Sequence, residues 1–282
     1  MRELQDRVAV VTGGASGIGR ALAQRFAADG MRVALADVEA APLAATVAEL
    51  EAAGAAVIGV EADVAVAADV DAVRDRALAA FGAVHVVCNN AGVAGGGIVE
   101  APLAVWEWTI GVNLMGVVHG VHTFLPLLLE QDEGHIVNTA SLAGLGGVAG
   151  LGIYCTTKFA VVGLSESLHH DLTARGSNVG VSVLCPGFVQ TRIGESNRNA
   201  PASVTEWIET PDAQATVEFA KALTDAGIAP AVVADAVRDA IVDGSFFIVP
   251  HEHAAVATTR ARAEWMAGGA APAIDPSRAV QP

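Results

Sequence analysis

The chain has 282 residues, 52% of them hydrophobic and 17% charged, with a formal net charge of −15. That length and apolar content support a sizeable core and exclude a disordered chain. The negative charge repels nucleic acid and anionic membrane surfaces, so neither is an expected partner.

The predicted elements alternate short apolar strands with longer helical patterns. Residues 7–12 read as the first strand through the run Val8, Ala9, Val10, Val11. Residues 16–29 read as a helix that Gly30 stops. A strand at 32–37 and a helix at 42–53 follow, with Pro42 in the helix's first turn. Next come a strand at 56–61, a helix at 68–81 and a strand at 84–89. Helical patterns at 103–131, with a break expected near 107–109, and at 153–175 flank a strand at 135–140. The sixth strand, 179–184, ends at Cys185-Pro186-Gly187, and the seventh, 245–249, at Pro250. Continuous apolar strands alternating with helices specify an α/β domain whose parallel sheet is covered on both faces.

One domain over 1–267 is expected. Residues 192–230 are polar, carry Pro201, Pro211 and Pro230, and read as an insertion. Residues 268–282, rich in Gly, Ala and Pro, read as a poorly ordered tail. The N-terminus holds only about five consecutive apolar residues, too few for a signal-peptide core. The most apolar long stretch, 116–129, contains His119, His122 and Pro126 and is too short to span a bilayer, so no membrane span is expected. Cys88, Cys155 and Cys185 are too scattered for a disulfide framework or a zinc cluster, which fits a reducing, cytoplasmic location. His251-Glu252-His253 lacks metal-site spacing and reads as surface, so no metal is expected.

Directly after the first strand comes Thr12-Gly13-Gly14-Ala15-Ser16-Gly17-Ile18-Gly19. Glycines there let backbone approach a pyrophosphate, and the following helix offers free N–H groups and a positive dipole end. Asp37 ends the second strand, 18 residues past Gly19, where a carboxylate can accept from both adenosine ribose hydroxyls. It would repel the 2′-phosphate of NADP, and no Lys or Arg lies between Thr12 and Ile18 to offset this, so NAD is the expected cofactor. Asp63-Val64 and Asn89-Asn90-Ala91-Gly92 follow the third and fourth strands, on the sheet edge where ligands bind.

Tyr154 is the single tyrosine, and Lys158 lies one helical turn on, on the same face. An ammonium about 4 Å from a phenol contributes roughly 4 kcal/mol at an effective dielectric near 20. That corresponds to about three pKa units, which brings the phenol toward the range of general acid–base work. Ser141 lies 13 residues before Tyr154, at a strand end, where its hydroxyl could hold a substrate oxygen. Asn113 is a poor helix former inside a long helical pattern.

The glycine turn, Asn-Asn-Ala-Gly, and Asn113, Ser141, Tyr154 and Lys158 in this order and spacing resemble the compact branch of the short-chain dehydrogenase/reductase family. Residues 185–191 resemble that family's Pro-Gly segment. The resemblance covers about 5–192 and 231–249. It implies a single-domain Rossmann fold, a doubly wound seven-stranded parallel sheet. It implies Tyr154 as catalytic acid or base, with Lys158 lowering its pKa and bonding the nicotinamide ribose. Ser141 would orient the substrate oxygen and Asn113 hold a water in a relay to Lys158. Gly13, Ser16, Gly17, Ile18, Gly19, Asp37, Asp63, Val64, Asn90, Ala91 and Gly92 would bind the cofactor, with Pro186, Gly187, Val189 and Thr191 at the nicotinamide end. A homodimer or homotetramer is implied, although Asp243-Gly244-Ser245 departs from the family's usual Asp-Gly-Gly turn in a region its tetramers use.

Residues 142–153 carry no charged or polar side chain. The family places this segment along the substrate pocket, where a charged body would be poorly solvated. The insertion supplies Trp207, Ile208, Val217 and Phe219 as candidates to close over an apolar body as a lid. The expected substrate is therefore an uncharged, largely apolar secondary alcohol or ketone of terpenoid, steroid or alicyclic type. Alternatives are a 3-oxoacyl (acyl carrier protein) reductase, opposed by Asp37 and the net charge, and a catalytically silent NAD-binding regulator, opposed by four filled catalytic positions.

Overall fold

The strands are β1 (Val8–Thr12), β2 (Arg32–Asp37), β3 (Val57–Glu61), β4 (Val86–Asn89), β5 (Gly134–Thr139), β6 (Val179–Leu184) and β7 (Phe247–Ile248). In this computed structural model, which describes residues 1, 3–99, 101–272 and 279–280, they form one parallel sheet in the order β3-β2-β1-β4-β5-β6-β7. The side chains of residues 208, 211, 212, 215, 216 and 219 lie outside that description. Valine dominates these strands, and β-branched side chains suit the pleated surface. Every residue of β1, β4 and β5 is buried, as a sheet covered on both faces requires.

Alternation along the strands sorts side chains between two helical layers. Ala9 and Val11 of β1 and Cys88 of β4 face α1 (Gly17–Ala28), α2 (Ala40–Ala52) and α9 (Pro230–Asp243), packing with Leu22, Phe26, Leu43 and Val237. Val10, Val87 and Ile136 face α3 (Ala67–Phe81), α5 (Gly116–Gln131) and α6 (Gly152–Ala174), packing with Val73, Phe124 and Leu172. β1 pairs with β2 on one side and β4 on the other, so strand order reverses beside it. A crevice opens at such a switch point, at the strands' carboxyl ends.

Four expectations change. The 103–131 pattern has no break: α4 (Leu103–Ile110) runs through a π-helical turn, Gly111–Met115, into α5. A π-turn absorbs an extra residue without ending the helix. The 29-residue run is long and apolar enough to cross a membrane by length and composition alone. Its buried face, from Val105 through Asn113, Val117 and Phe124 to Leu128, places it in the core instead. β7 has two residues rather than five, and Pro250 beyond it lacks the N–H a longer ladder needs.

The segment read as surface around His251 opens α10 (Glu252–Met266), and His251 is wholly buried, its Nδ1 accepting from the Gly187 N–H at 3.0 Å. The tail, expected loose, returns to the domain: the Ala279 carbonyl accepts from the Phe188 N–H at 2.8 Å, pairing a backbone donor of the core. The rest of that expectation, on 273–278 and 281–282, lies outside the described residues. The insertion forms a 3₁₀ segment, Ile193–Asn199, then α7 (Ala202–Ile208) and α8 (Pro211–Asp225), with Pro211 in the first turn of α8.

Candidate active site

The glycine turn leaves β1 with Gly13 and Gly17 at φ of +67° and +53°, a region that favours glycine. α1 then begins, and a side chain at Gly19 would run into the Gly13 carbonyl, so glycine lets the helix close onto the turn. The Ser16 hydroxyl makes no capping bond, which leaves the first N–H groups of α1 to an anion. Thr12 ties the turn to β4: its Oγ1 accepts from the N–H groups of Asn90 and Ala91 at 2.9 and 3.1 Å, and Asn90 Nδ2 donates to the Thr12 carbonyl at 3.0 Å. Asp37 closes the far side, its carboxylate accepting from the Ala15 and Glu39 N–H groups at 2.9 and 3.0 Å. Asp63 accepts from the Ala65 N–H at 2.9 Å.

Part of the glycine turn, with Asp37, Asp63 and Asn90, lines one cavity of ≈ 920 Å³. Gly13, Ser16, Gly17, Ile18 and Asp37 form one end of its wall, with Asp63, Val64, Asn90, Ala91 and Gly92 beside them. Ser141, Tyr154 and Lys158 line it too, with Pro186, Gly187, Val189 and Thr191. Gly19 and Asn113 do not reach it; each sits behind a lining residue. The cavity, with its glycine turn, helix N-terminus and carboxylate able to accept from ribose hydroxyls, fits a dinucleotide.

α6 brings the chemistry to this groove. Its seating is fixed by a buried polar chain in which Asn89 Nδ2 donates to Asn138 Oδ1, Asn138 Nδ2 to Ser165 Oγ, and Ser165 Oγ to the Val161 carbonyl. Lys158, 2% exposed, donates from Nζ to the Thr139 carbonyl at 2.8 Å. Ser141 caps a 3₁₀ turn, Leu142–Gly144, by accepting from the Ala143 N–H at 3.1 Å, and donates to the Pro186 carbonyl at 3.3 Å. Gly144 lets that turn lie against α6: a Cβ there would sit 2.7 Å from the Lys158 carbonyl oxygen. Asn113, held in the π-turn, accepts from the Val93 N–H at 2.8 Å and donates to the Val93 carbonyl and Thr157 Oγ1 at 2.9 and 3.3 Å. Its amide is thus engaged by protein partners, which fixes the loop after β4.

The electrostatics differ from the simple pairing. Desolvation pushes the Tyr154 phenol up to about 12, with the Ser141 hydroxyl bond pulling the other way. Desolvation also brings the Lys158 ammonium down to about 8. The ammonium lies 5.4 Å from the Tyr154 ring centroid, and burial is the larger influence on the phenol.

Of residues 142–153, Leu142, Ala143, Val148 and Leu151 line the cavity, whereas Ile153 packs into a separate cluster. Trp207 does not close over it: the indole packs on Gly96 and joins Val105, Ile153 and Val204 in a separate cluster, fastening α7 to the body. Val217 also stays off the cavity wall, and the side chains of Ile208 and Phe219 lie outside the described residues. Ile193, Ala220, Leu223 and Thr224 take that place, joined by Ala257, Ala261 and Trp265 of α10. Ser196, buried, accepts from the Ala94 N–H at 2.9 Å and pins the insertion to the loop after β4. Sequence reading missed His251, Ser196 and α10; the unbroken apolar-polar run 252–266 was the available signal for the helix. Among the described residues no group of three or more His, Cys, Asp or Glu could hold a metal.

Residues 7–202 match the model of the short chain dehydrogenase family. A short-chain dehydrogenase/reductase from Burkholderia phymatum, solved in complex with NAD, is 42% identical and superposes with a TM-score of 0.94 over 98% of this chain and 99% of that one. A CLA biosynthesis dehydrogenase/reductase of Lactiplantibacillus plantarum is 33% identical over 89% of this chain and 90% of its own length. A C alpha-dehydrogenase of a Sphingobium species is 34% identical over 89% of this chain and 82% of its own length. The chain belongs to the short-chain dehydrogenase/reductase family of oxidoreductases.

Proposed function

We propose that the protein is an NAD-dependent alcohol dehydrogenase and ketone reductase acting on an uncharged, largely apolar secondary alcohol or ketone. The observation that carries the reading is the shared cavity: Ser141, Tyr154 and Lys158 line the same space as the glycine turn and Asp37. Asp37, placed to receive ribose hydroxyls, favours NAD, the dinucleotide bound in the Burkholderia phymatum relative.

When bound, nicotinamide accepts or supplies the hydride and, oxidised, adds a positive charge beside the phenol. Tyr154 takes the hydroxyl proton during oxidation and returns it during reduction. Ser141 Oγ donates to the substrate oxygen and holds it against the phenol. The Lys158 ammonium favours the phenolate, and its added bond to Thr139 fixes where that charge sits. Asn113 positions Val93 at the wall, and His251 holds Gly187, another wall residue, in place. The insertion 192–230 serves as the lid that excludes water. Leu142, Ala143, Val148, Leu151 and Leu223 give the substrate end an apolar lining, which supports a terpenoid, steroid or alicyclic body.

A homodimer or homotetramer is part of the same reading, because Ile98, Val99, Leu103 and Met115 leave apolar surface exposed along and ahead of the long helix. Light scattering after gel filtration tests it; a monomer at micromolar concentration refutes it. The activity is tested by NADH absorbance with a panel of apolar secondary alcohols. NADH formation with alicyclic or steroid alcohols, and none with short acidic hydroxy acids, is expected. No NADH with any alcohol, and no ketone-dependent NADH loss, overturns the reading.

A further inference from the structure

The cavity carries a cation that no neighbouring stretch of sequence places there. Arg198, near the end of the 3₁₀ segment in the insertion, lines the cavity together with Asp37 and Glu39. Glu39 lies two residues beyond Asp37, in the turn between β2 and α2, and holds this guanidinium. Arg198 Nε donates to both Glu39 carboxylate oxygens at 3.0 Å, and Nη2 donates to Oε2 at 2.6 Å. Nη1 is occupied as well, donating to the carbonyls of Arg192 and Glu195 at 3.2 and 2.9 Å. The Arg198 bond holds the Glu39 carboxyl below its ordinary range. The two side chains are only 24% and 17% exposed, so solvent screens this pair less than an open surface pair. Arg192 also lines the cavity and is engaged by Glu195, which Lys221 contacts in turn.

A guanidinium fork matches phosphate geometry and normally rewards a 2′-phosphate. Here the fork faces a carboxylate of the chain itself. We propose that Glu39 is a second specificity-determining residue for the dinucleotide, acting through Arg198. By occupying the guanidinium it denies the 2′-phosphate of NADP a cation that stands on the same wall as Asp37. Discrimination then has two parts, repulsion by Asp37 and sequestration of Arg198. The inference rests on the dehydrogenase reading above.

Direct binding separates the two. NADH and NADPH are titrated into the full-length protein and followed by tryptophan fluorescence, with no substrate present. Glu39→Gln frees Arg198 and lowers the NADPH dissociation constant by about tenfold or more, the yield of one good charge-assisted contact. NADH affinity stays close to that of the wild type. Glu39→Gln with Arg198→Ala loses the gain, and so does Glu39→Gln in high salt. Glu39→Thr serves as the second variant, and thermal melts confirm that each protein folds. No gain for NADPH in either single variant overturns the proposal. A gain that survives Arg198→Ala also overturns it, because removal of the Glu39 charge would then suffice. A wild type that binds neither dinucleotide overturns the dehydrogenase reading itself, whereas NADH binding without the NADPH gain overturns only the role of Glu39.

Discussion

Lys158 Nζ sits 5.4 Å from the centre of the Tyr154 ring and spends a hydrogen bond on the Thr139 carbonyl, 2.8 Å away. The ammonium is therefore fixed by the end of β5 rather than by the phenol it serves. Its position is set before any substrate arrives, which costs no reorganisation during proton transfer. The phenol, by contrast, stands at about 12 and needs added positive charge to ionise.

Tyr154→Phe removes the transferable proton and leaves the ring in place. kcat/KM should fall by about 10²- to 10⁴-fold, the usual worth of a general acid–base. NADH binding, read by fluorescence, should stay near wild type. A variant that keeps full activity refutes the assignment of the proton to this residue.

Ketone reduction needs Tyr154 protonated and Lys158 charged. Burial brings the ammonium to about 8 and the phenol to about 12, so the lysine loses its proton first as pH rises. The reduction rate should be level below pH 8 and decline above it. In Lys158→Met the residual rate should be much lower and the decline near pH 8 absent. A decline that persists unchanged in that variant assigns it to another group.

His135 is 1% exposed, and its Nε2 lies 2.7 Å from Ser182 Oγ. Desolvation lowers it to about 3, whereas the unfolded chain binds that proton near 6.5. Between those values the unfolded state holds more protons, so stability rises with pH and is lost on acidification. At pH 5 the loss from this residue should reach about 2 kcal/mol. Urea unfolding at pH 7 and pH 5 should show a smaller acid loss in His135→Gln, which cannot titrate. An equal loss in both proteins refutes it.

Gly144→Ala would place a methyl 2.7 Å from the Lys158 carbonyl and 3.0 Å from Val162 Cγ2. Overpacking of this kind costs about 1–3 kcal/mol. The turn carrying Ser141 must then back away from α6, so kcat should fall along with the melting temperature. NADH affinity should change little. A variant with wild-type melting and kcat would show that the turn has slack.

The sheet is legible because its strands are continuous valine-rich runs, and the ligand-binding edge follows from where the glycine turn and Asn-Asn-Ala-Gly fall, but the strand order that makes a switch point beside β1 does not. Residues whose spacing is local, such as Tyr154 and Lys158, were readable from helical geometry. Those whose partners are distant were not. His251 looked like surface because its partner, the Gly187 N–H, lies 64 residues away. Trp207 was apolar and in the right segment, but only packing tells a lid's lining from its fastening. The π-turn escaped because Asn113 was readable as an oddity while the extra residue that accommodates it leaves no compositional mark. Burial, which raises the Tyr154 phenol, leaves no local mark in a sequence, whereas the one-turn spacing to Lys158 does.

Val189 pairs with Ile228 through a single parallel bridge, with Gln190 N–H bonded to the Ile228 carbonyl and Ile228 N–H to the Phe188 carbonyl. The two ends of the insertion are thereby stitched together next to Thr191, whose methyl rests against Gly17. Everything looped out between them can lengthen, shorten or change character without tugging on that seam. The cavity wall at Val189 and Thr191 is thereby anchored by a seam of backbone bonds that does not depend on the side chains between them.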